Sequence, residues 1–536
     1  MWTISLKEWD WGKLVRNAKG KMQKEERGRA NGQKTKKLRE TMAKKFQNFI
    51  NGKWADAKSG QTFENRNPAN WDEIVGTFPK SGKEDVDEAV AAAKKAFNSW
   101  RLVPAPKRGD ILRKVGDLMV ARKEELARQM TREMGKVLAE TRGDVQEGID
   151  TAYYAATEGR RLFGHTVPSE LPDKFNMAMR VPIGVAGIVT PWNFPMAIPT
   201  WKIFPALLCG NTIVFKPASD TPATATSLVD ILLEAGVPGG VINIVHGGGS
   251  EVGIAIVSHP DIELVSFTGS TGIGKKISEV ASQTLKRVSL ELGGKNAQIV
   301  MDDADLDLAL DGVLWGAFGT TGQRCTATSR LILHDGVHDR FLEMLLDRTR
   351  KLRLGDGLKE GVDVGPCVNQ GQQKTVQGYV EIGIQQGATV ACGGKVPSDP
   401  ALGKGWFYEP TVFVGVQPDH RIAKEEIFGP VLSVLRVKSL DEGISVLNDT
   451  IYGLSSSVYT RDVNAAFRAI RDIRAGITYI NAPTIGAEAH MPFGGVKQTG
   501  NGHREGGWAV YDFFSEWKTV YFDYSGGLQR AQIDNY

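Results

Sequence analysis

Cysteine and long apolar runs are scarce in this sequence. Only four of its 536 residues are cysteine, and none of them belongs to a Cys-x-x-Cys pair. So few cysteines exclude a disulfide scaffold, and their scattered spacing favours neither a zinc site nor a redox pair. No apolar stretch approaches the roughly 18 residues that a membrane-spanning helix needs. We therefore expect a cytoplasmic protein without a metal and without a membrane partner.

An excess of charge of one sign is also lacking over most of the chain. The net charge is +4, but residues 1–41 hold twelve Lys or Arg and five Asp or Glu, which leaves −3 for the other 495 residues. A basic extension of this kind either binds nucleic acid or anionic lipid, or is a disordered tail upstream of a start at Met42. We expect a disordered tail and no nucleic-acid partner. The extension lacks the apolar region of a signal peptide, and its acidic residues argue against a transit peptide.

Short β-branched segments alternate with helical segments over much of the chain. Between residues 184 and 269, the segments GVAGIVTP, NTIVFKP, VINIVHG and ELVSFTG each end in Gly or Pro. The helical segment DVDEAVAAAKKAFNSW places Val86, Val90, Ala93 and Phe97 on one face. A second alternating series begins near residue 297, and FFSEWKTVYFDY near the end alternates like a strand that pairs with another chain's edge. The pattern predicts two α/β domains with parallel sheets.

Cys325 is the cysteine whose sequence neighbours favour reactivity. It lies among polar and basic residues in FGTTGQRCTATSR, residues 318–330, whereas Cys209 lies among apolar residues in PALLCG. The thiolate is the reactive form of cysteine, and it is favoured by polar or positive surroundings. Taken alone, Cys325 is compatible both with a nucleophile and with an inert core residue.

Three further polar residues follow predicted strands. Glu291 in SLELGGKN suits a general base, Asn193 in TPWNFP an oxyanion donor, and Lys216 in NTIVFKPAS a ligand of sugar or phosphate. Each also has a structural explanation, namely an exposed turn carboxylate, an amide bonded to its own backbone, and a solvated lysine. The segment FTGSTGIGKKISEV, residues 267–280, likewise suits a pyrophosphate at a helix start, although its glycine spacing is not Gly-x-Gly-x-x-Gly.

The order of seven motifs resembles that of the aldehyde dehydrogenase superfamily. TPWNFP is followed by KPAS, FTGSTGIG, ELGGK, GQRCTATSR, EEIFGP and PFGG, and the resemblance extends from FINGKW to KTVYF. It implies an α/β fold of two domains plus a small bridging strand element that joins subunits into a homodimer or homotetramer. The implied parts are the basic extension over 1–41, a dinucleotide-binding domain over 42–159 and 183–293, a catalytic domain over 294–511, and an oligomerisation element with the tail over 160–182 and 512–536.

The resemblance also implies a covalent mechanism. Cys325 would attack the aldehyde carbonyl, and Asn193 would hold the oxyanion together with the backbone N–H of Cys325. Glu291 would then activate water to hydrolyse the thioester, so that two easier steps replace one difficult oxidation. The alternatives are a nicotinamide-independent cysteine hydrolase, although none of the eight histidines lies in a recognisable motif, and an inactive binding scaffold.

The implied cofactor is NAD or NADP. Lys216 would contact the adenosine ribose, and Glu426 the nicotinamide ribose. Ser219 stands where many NAD-preferring members have a glutamate that repels the 2′-phosphate of NADP, so we expect NADP to be accepted, alone or beside NAD. The cofactor-contacting residues implied in this way are Trp192, Lys216, Ser219, Gly269, Ser270, Gly274, Glu426 and Phe428.

The substrate is expected to be an acidic semialdehyde. PAPKRG with TGQRCTATSR is similar to 2-oxoglutarate semialdehyde dehydrogenases, and INAPTIGAEAHMPFGG is similar to aminoadipate semialdehyde dehydrogenases, in which a Gly-Ala pair holds the polar end of the substrate. Arg324 would either attract the substrate carboxylate or bind nearby backbone. The alternative is a broad-specificity enzyme for aliphatic and aromatic aldehydes. The implied pocket residues are Phe194, Trp201, Arg324, Gly486 and Ala487.

Overall fold

The computed structural model describes residues 44–530. The predicted disordered extension over residues 1–41 and the start at Met42 therefore lie outside the described residues. Within the described range, no helix is both long enough and apolar enough to cross a membrane.

Parallel strands with crossover helices form the first part of the fold, as the alternating pattern predicts. A seven-stranded sheet has the order β12-β11-β8-β9-β10-β2-β3, in which β8 to β12 run parallel and the β2–β3 hairpin is antiparallel. The strands up to residue 291 are β1 (Lys44–Lys45), β2 (Asn48–Ile50), β3 (Lys53–Ala55), β4 (Thr62–Asn67), β5 (Asn70–Pro79), β6 (His165–Val167), β7 (Lys174–Pro182), β8 (Val185–Val189), β9 (Thr212–Lys216), β10 (Ile242–Ile244), β11 (Leu264–Thr268) and β12 (Arg287–Glu291).

Helices cover both faces of this sheet. In the first of them, Val86, Val90 and Ala93 are completely buried, as their spacing predicts, whereas Phe97 is only half-buried. Asp85 caps this helix by accepting a hydrogen bond of 3.0 Å from the N–H of Gly82. The helices up to residue 282 are α1 (Lys83–Trp100), α2 (Ala105–Ala121), α3 (Lys123–Met134), α4 (Leu138–Glu158), α5 (Ala197–Cys209), α6 (Pro222–Ala235), α7 (Ile254–Ser258) and α8 (Thr271–Ser282).

A second seven-stranded sheet follows, with the order β15-β16-β17-β14-β13-β18-β19 and one antiparallel pair at the β15 edge. Its strands are β13 (Asn296–Val300), β14 (Thr328–His334), β15 (Thr389–Cys392), β16 (Thr411–Val414), β17 (Val431–Val437), β18 (Ser455–Tyr459) and β19 (Ile477–Ile480). The helices of this part are α9 (Leu306–Phe318), α10 (His338–Arg350), α11 (Gln370–Gln385), α12 (Arg421–Lys424), α13 (Leu440–Asn448) and α14 (Val463–Asp472).

The last strand pairs within its own chain. The helix α15 (Val510–Phe514) takes up the first two residues of FFSEWKTVYFDY, and only β20 (Ser515–Asp523) is extended. Within the same chain, β20 pairs antiparallel with β7 from Ser515 opposite Pro182 to Asp523 opposite Lys174. The alternating apolar pattern of this segment therefore belongs to a strand that pairs with β7 of the same chain. Its other side is an edge of the three-stranded sheet β20-β7-β6.

The carboxyl ends of four parallel strands meet at one edge of the first sheet. Val189 at the end of β8 is in register with Lys216 at the end of β9, and Thr268 at the end of β11 is in register with Glu291 at the end of β12. The motifs TPWNFP, KPAS, GSTGIG and LGGK follow these ends directly. Ligands of open α/β sheets bind beyond the carboxyl ends of the strands, so a site is expected at this edge.

Candidate active site

Two cavities meet at the Cys325 side chain. They measure about 230 and 240 Å³, and both are lined by Ile198, Thr268, Leu292 and Cys325. The first also contains the predicted cofactor residues Trp192, Gly269, Ser270, Glu426 and Phe428, together with Asn193. The second contains Glu291 and all the predicted substrate residues, namely Phe194, Trp201, Arg324, Gly486 and Ala487. The thiol thus lies between the cavities predicted for the cofactor and the substrate.

A tight turn holds Cys325 in place. Asn296, at the start of β13, donates hydrogen bonds to the carbonyls of Cys325 (2.7 Å) and Ala327 (2.9 Å). In the preceding turn, Thr320 and Thr321 have φ values of 53° and 58°, a strained conformation for β-branched residues. The N–H of Thr320 is fixed by Glu140 Oε1 at 2.6 Å. Strain that the surroundings enforce in this way is typical of functional sites.

The surroundings of the Cys325 thiol differ from those that the sequence predicted. Burial raises its pKa, and the carboxyls of Glu426 and Glu291 raise it further, whereas backbone N–H groups of Thr326 and Cys325 act weakly in the opposite direction. The polar neighbours that favoured a thiolate are engaged elsewhere; Gln323, for example, accepts a hydrogen bond from the N–H of Val368. The thiol is therefore protonated at rest, and a change in its electrostatic surroundings must activate it.

Glu291 is the last residue of β12, and it is buried rather than exposed in a turn. Neither of its carboxyl oxygens has a hydrogen-bond partner among the residues that the structure describes. Burial and then the charge of Glu505 hold its pKa well above the usual range, while Lys202 and Arg504 act in the opposite direction. A buried carboxyl with unused oxygens beside a nucleophile is suited to general base catalysis.

Sequence reasoning missed Lys202 and Glu505, which form a buried ion pair beside Glu291. Lys202 also donates a hydrogen bond of 2.9 Å to Ser266 Oγ in β11. A signal for Lys202 was present, because it is the only charged residue in the otherwise apolar segment AIPTWKIFPALLC of α5. Glu505, more than two hundred residues after Glu291, had no such signal.

Asn193 lies in the loop after β8, as predicted, and its side chain is buried. Its Oδ1 lacks a hydrogen-bond partner within residues 44–530. The loop itself is held firmly, because Lys136 Nζ donates to the Asn193 carbonyl at 2.9 Å and forms a fully buried ion pair with Asp144 at 2.7 Å. Asp144 in turn accepts from the N–H of Ala197 at 2.7 Å. The side chain of Asn193 is thus positioned in the wall that it shares with Cys325.

The first cavity has features that fit a nicotinamide dinucleotide. Ser270 precedes α8, whose free N–H groups face the end of β11. At Gly274 a Cβ atom would lie 2.5 Å from Leu292 Cδ2, so a larger residue would require α8 or the Leu292 side chain to shift. Phe428 has a φ of 58° and packs edge-on against Trp192 with 5.3 Å between ring centroids. Thr268 Oγ1, in the cavity wall, has no hydrogen-bond partner in the described part of the chain.

Glu426 and Lys216, which were predicted to contact the two riboses, each already have a hydrogen-bond partner within the protein. Glu426 Oε1 accepts from the N–H of Gly294 at 2.9 Å, and burial raises the pKa of Glu426 to about 7. Lys216 ends β9 and is buried rather than solvated; burial lowers its pKa to about 8. Lys216 and Ser219 lie outside both cavities, and the Ser219 hydroxyl donates to the Gly247 carbonyl at 3.1 Å.

Arg324 lines the second cavity and is held on three sides. Its guanidinium lies 4.7 Å from the ring centroid of Trp315 and 5.5 Å from that of Phe194. Its Nε donates to Thr320 Oγ1 at 2.8 Å, and its Nη2 lies 3.3 Å from Glu140 Oε1. The predicted alternative was that Arg324 binds nearby backbone, but its partners are the side chains of Thr320 and Glu140, and they leave the guanidinium in the cavity wall.

Comparisons with known proteins agree with this geometry. The model of the aldehyde dehydrogenase family matches residues 54–520. An alpha-ketoglutaric semialdehyde dehydrogenase of Bacillus subtilis is 44% identical over 89% of this chain and 98% of its own length. A 2,5-dioxopentanoate dehydrogenase of Saccharolobus solfataricus is 43% identical, with coverage of 88% and 98%.

Solved structures give the same result. A betaine aldehyde dehydrogenase of Staphylococcus aureus in complex with NAD+ superposes with a TM-score of 0.88 at 35% identity, covering 90% of this chain and 97% of its own. An NADP-dependent enzyme of E. coli superposes with a TM-score of 0.86 at 40% identity, with coverage of 89% and 98%. The predicted fold of two α/β domains with a bridging strand element is confirmed. The chain belongs to the aldehyde dehydrogenase family and is an enzyme that oxidises aldehydes with NAD or NADP.

Proposed function

We propose that this enzyme oxidises an acidic semialdehyde, with 2-oxoglutarate semialdehyde as the first candidate, to the carboxylic acid. Arg324 carries this proposal, because it is the one cationic side chain among the described residues that line the substrate cavity. A carboxylate in this position can pair with the guanidinium, whose aromatic neighbours are apolar and hold it at the cavity wall. The names of the two semialdehyde-oxidising relatives support the same substrate class.

In the proposed mechanism, Cys325 attacks the aldehyde carbonyl as a thiolate. Bound in the first cavity, an oxidised nicotinamide would supply positive charge that favours the thiolate, and it would be the acceptor for the hydride of the substrate. The side-chain N–H of Asn193 and the backbone N–H of Cys325 donate to the oxyanion that develops on the substrate oxygen. Because Lys136 fixes the Asn193 backbone, this donor needs no rearrangement during the reaction.

Glu291 then takes a proton from the water that hydrolyses the thioester on Cys325. Glu291 can accept this proton only as a carboxylate. Its raised pKa makes the carboxylate a stronger base, and Lys202 and Arg504 favour the ionised form. Glu505, paired with Lys202 next to Glu291, provides a second carboxyl through which the proton can leave. Trp201 and Phe493, which pack together with 4.8 Å between ring centroids, shield the substrate cavity from bulk water.

The substrate class is tested with three aldehydes of equal chain length, namely 2-oxoglutarate semialdehyde, glutarate semialdehyde and pentanal. We expect kcat/KM to be at least about tenfold higher for the two acids, because each gains a charge-assisted contact. An Arg324→Met variant, which keeps an apolar side chain of similar length, should lose most of this preference by raising KM for the acids only. A wild-type preference for pentanal would refute the proposed substrate and favour a broad-specificity enzyme.

We also propose the cofactor and domain roles that the resemblance implies. Lys216 and Glu426 would hold the two riboses, Gly269 and Ser270 the pyrophosphate, and Trp192 and Phe428 the nicotinamide region. The passage from β12 to β13 supports the domain boundary between residues 293 and 294. We place the catalytic domain at 294–511 and the dinucleotide-binding domain at 42–159 and 183–293.

We propose that the β20-β7-β6 sheet, within residues 160–182 and 512–536, joins subunits into a homodimer or homotetramer. Its strands carry exposed large apolar side chains on both faces of the sheet, and single soluble chains rarely expose so many close together. These are Val167, Phe175, Met179, Trp517, Tyr521 and Phe522.

We propose that the protein is located in the cytoplasm. Its four cysteines are all free thiols, which are typical of a reducing compartment.

A further inference from the structure

Helix α4 presents three carboxyl groups to the substrate cavity. Glu140, Asp144 and Glu147 are spaced four and three residues apart, which places them on one helical face, and all three line the cavity. Two of them have partners. Glu140 accepts from the N–H of Thr320, and Asp144 pairs with Lys136. Glu147 differs, because its buried Oε1 has no hydrogen-bond partner anywhere in residues 44–530.

The charges around Glu147 come from several elements. On α4 itself, Asp144 and Asp150 disfavour its ionisation, whereas Lys136 before the helix and Arg324 before β14 favour it. Burial is the largest influence and acts in the same direction as the two aspartates, so the pKa of Glu147 is raised to about 8. Tyr479 of β19 faces the same carboxyl, and burial together with Glu147 raises the pKa of Tyr479 to about 12. At neutral pH both Glu147 and Tyr479 are therefore uncharged hydrogen-bond donors.

Arg324 leaves part of an acidic substrate without a partner. A carboxylate has two oxygens and about four acceptor positions, and Glu140 already shares the guanidinium of Arg324. The other ionisable groups of the cavity wall besides Cys325 are the carboxyls of Asp144, Glu147, Glu291 and Glu505, and beside them a charged substrate oxygen without a donor would be costly. A second donor is needed, and a protonated carboxyl fits because it adds no positive charge and donates strongly to a carboxylate.

We propose that Glu147 is a specificity-determining residue, which donates a hydrogen bond as a carboxylic acid to the polar end of an acidic semialdehyde. This inference rests on the proposed substrate class and deepens it. When Glu147 loses its proton, two carboxylates face each other in the cavity, so the acidic substrate is repelled. A neutral aldehyde has no charge at that end and is unaffected by the change.

The test measures the ratio of kcat/KM for glutarate semialdehyde to that for pentanal, between about pH 6 and pH 9.5. The ratio cancels the ionisations of Cys325 and Glu291, which both substrates share. For the wild type we expect a constant ratio in the acidic part of the range and a fall above about pH 8, by up to about tenfold per pH unit.

Two variants distinguish the effect of Glu147 ionisation from the effect of removing its hydrogen-bond donor. Glu147→Gln keeps a donor that cannot ionise, so its ratio should stay close to the wild-type value at neutral pH and remain constant above pH 8. Glu147→Leu removes the donor and should lower the ratio at neutral pH by about tenfold or more, through KM. The matched control is Glu158→Gln, a buried carboxyl of the same helix that does not line the cavity, whose profile should follow the wild type.

A wild-type ratio that does not change with pH would overturn the role of Glu147. So would a Glu147→Gln variant that loses the preference as fully as Glu147→Leu. Both results differ from failure of the proposed function, in which the wild type favours pentanal over the acid at every pH. A ratio for 4-aminobutanal to pentanal that rises above pH 8 would also overturn the proposal, because it would show that Glu147 acts as an anion that binds cationic substrates.

Discussion

At the scale of single residues, the chemistry depends on groups whose burial changes their ordinary behaviour. Burial and neighbouring carboxyls raise the pKa of both the Cys325 thiol and the Glu291 carboxyl, which disfavours the ionised form of each. Asn193 and Glu291 keep buried oxygen atoms without partners among the described residues. Groups of this kind are stable only where the surrounding structure holds them, as Lys136 does for the Asn193 loop.

Ser219 gives a prediction about cofactor choice. Its hydroxyl carries no charge and binds only the Gly247 carbonyl, so nothing at this position repels a 2′-phosphate. We expect Ser219→Glu to lower kcat/KM with NADP on the order of tenfold to a hundredfold, because two negative charges would then meet. The value with NAD should change little. Ser219→Gln, which adds similar bulk without charge, is the control, and an equal loss in both variants would point to bulk rather than charge.

Residue-level reasoning from the sequence singled out residues that the structure brings together, but it did not predict their surroundings. Cys325, Glu291 and Asn193 were identifiable because each follows or precedes a strand within a distinctive motif. The polar sequence neighbours of Cys325 did not reveal which charges raise the pKa of its thiol, because Glu291 and Glu426 are distant in sequence. Short-range neighbours say little about charges that the fold brings together from other elements.

At the scale of elements, the strand ends and one helix start determine where ligands can lie. Helix α8 begins directly after β11, and its approach to the site depends on Gly274, beside Leu292 in the wall of both cavities. The same helix offers an internal comparison, since a Cβ atom at Gly272 would meet nothing within 4 Å.

We expect Gly274→Ala to raise KM for the cofactor by roughly fivefold or more, because the added methyl would displace α8 or Leu292. Gly272→Ala should leave KM unchanged, since its methyl points into open space. Initial rates at saturating aldehyde measure both values. Equal effects of the two substitutions would indicate that helix propensity, rather than close packing, is responsible.

Element placement was largely predictable, whereas the use of α4 was not. Periodicity identified α1 and the parallel strands, because local sequence sets period and turn. Helix α4 supplies Glu140, Asp144 and Glu147 to the substrate cavity, yet it lies about 180 residues before Cys325. No local pattern indicates which helix will close a cavity formed by distant loops.

At the scale of the whole molecule, buried titratable groups make stability depend on pH. His246 is fully enclosed beside Phe78, and burial, reinforced by Lys216, lowers its pKa to about 3. A histidine with a lowered pKa contributes stability above about pH 6.5 that is lost as the pH falls toward 3, because the unfolded chain binds the proton first.

We therefore expect His246→Gln to reduce the acid sensitivity of the protein. Below about pH 6.5, the free energy of unfolding of the wild type should fall by up to about 1.4 kcal/mol per pH unit more steeply than that of the variant. Denaturant unfolding at several pH values measures the difference. The exposed His490 provides a control, and His490→Gln should retain the wild-type slope.

The most direct test of the account is rapid mixing of the Glu291→Gln enzyme with cofactor and aldehyde. If Cys325 forms a thioester that Glu291 is needed to hydrolyse, one equivalent of reduced cofactor per subunit should appear in a burst. Turnover should then proceed roughly a hundredfold or more below the wild-type rate. Mass spectrometry should find the acyl group on the peptide that contains Cys325. Steady turnover at the wild-type rate without a burst, or an unmodified Cys325 peptide, would contradict the account.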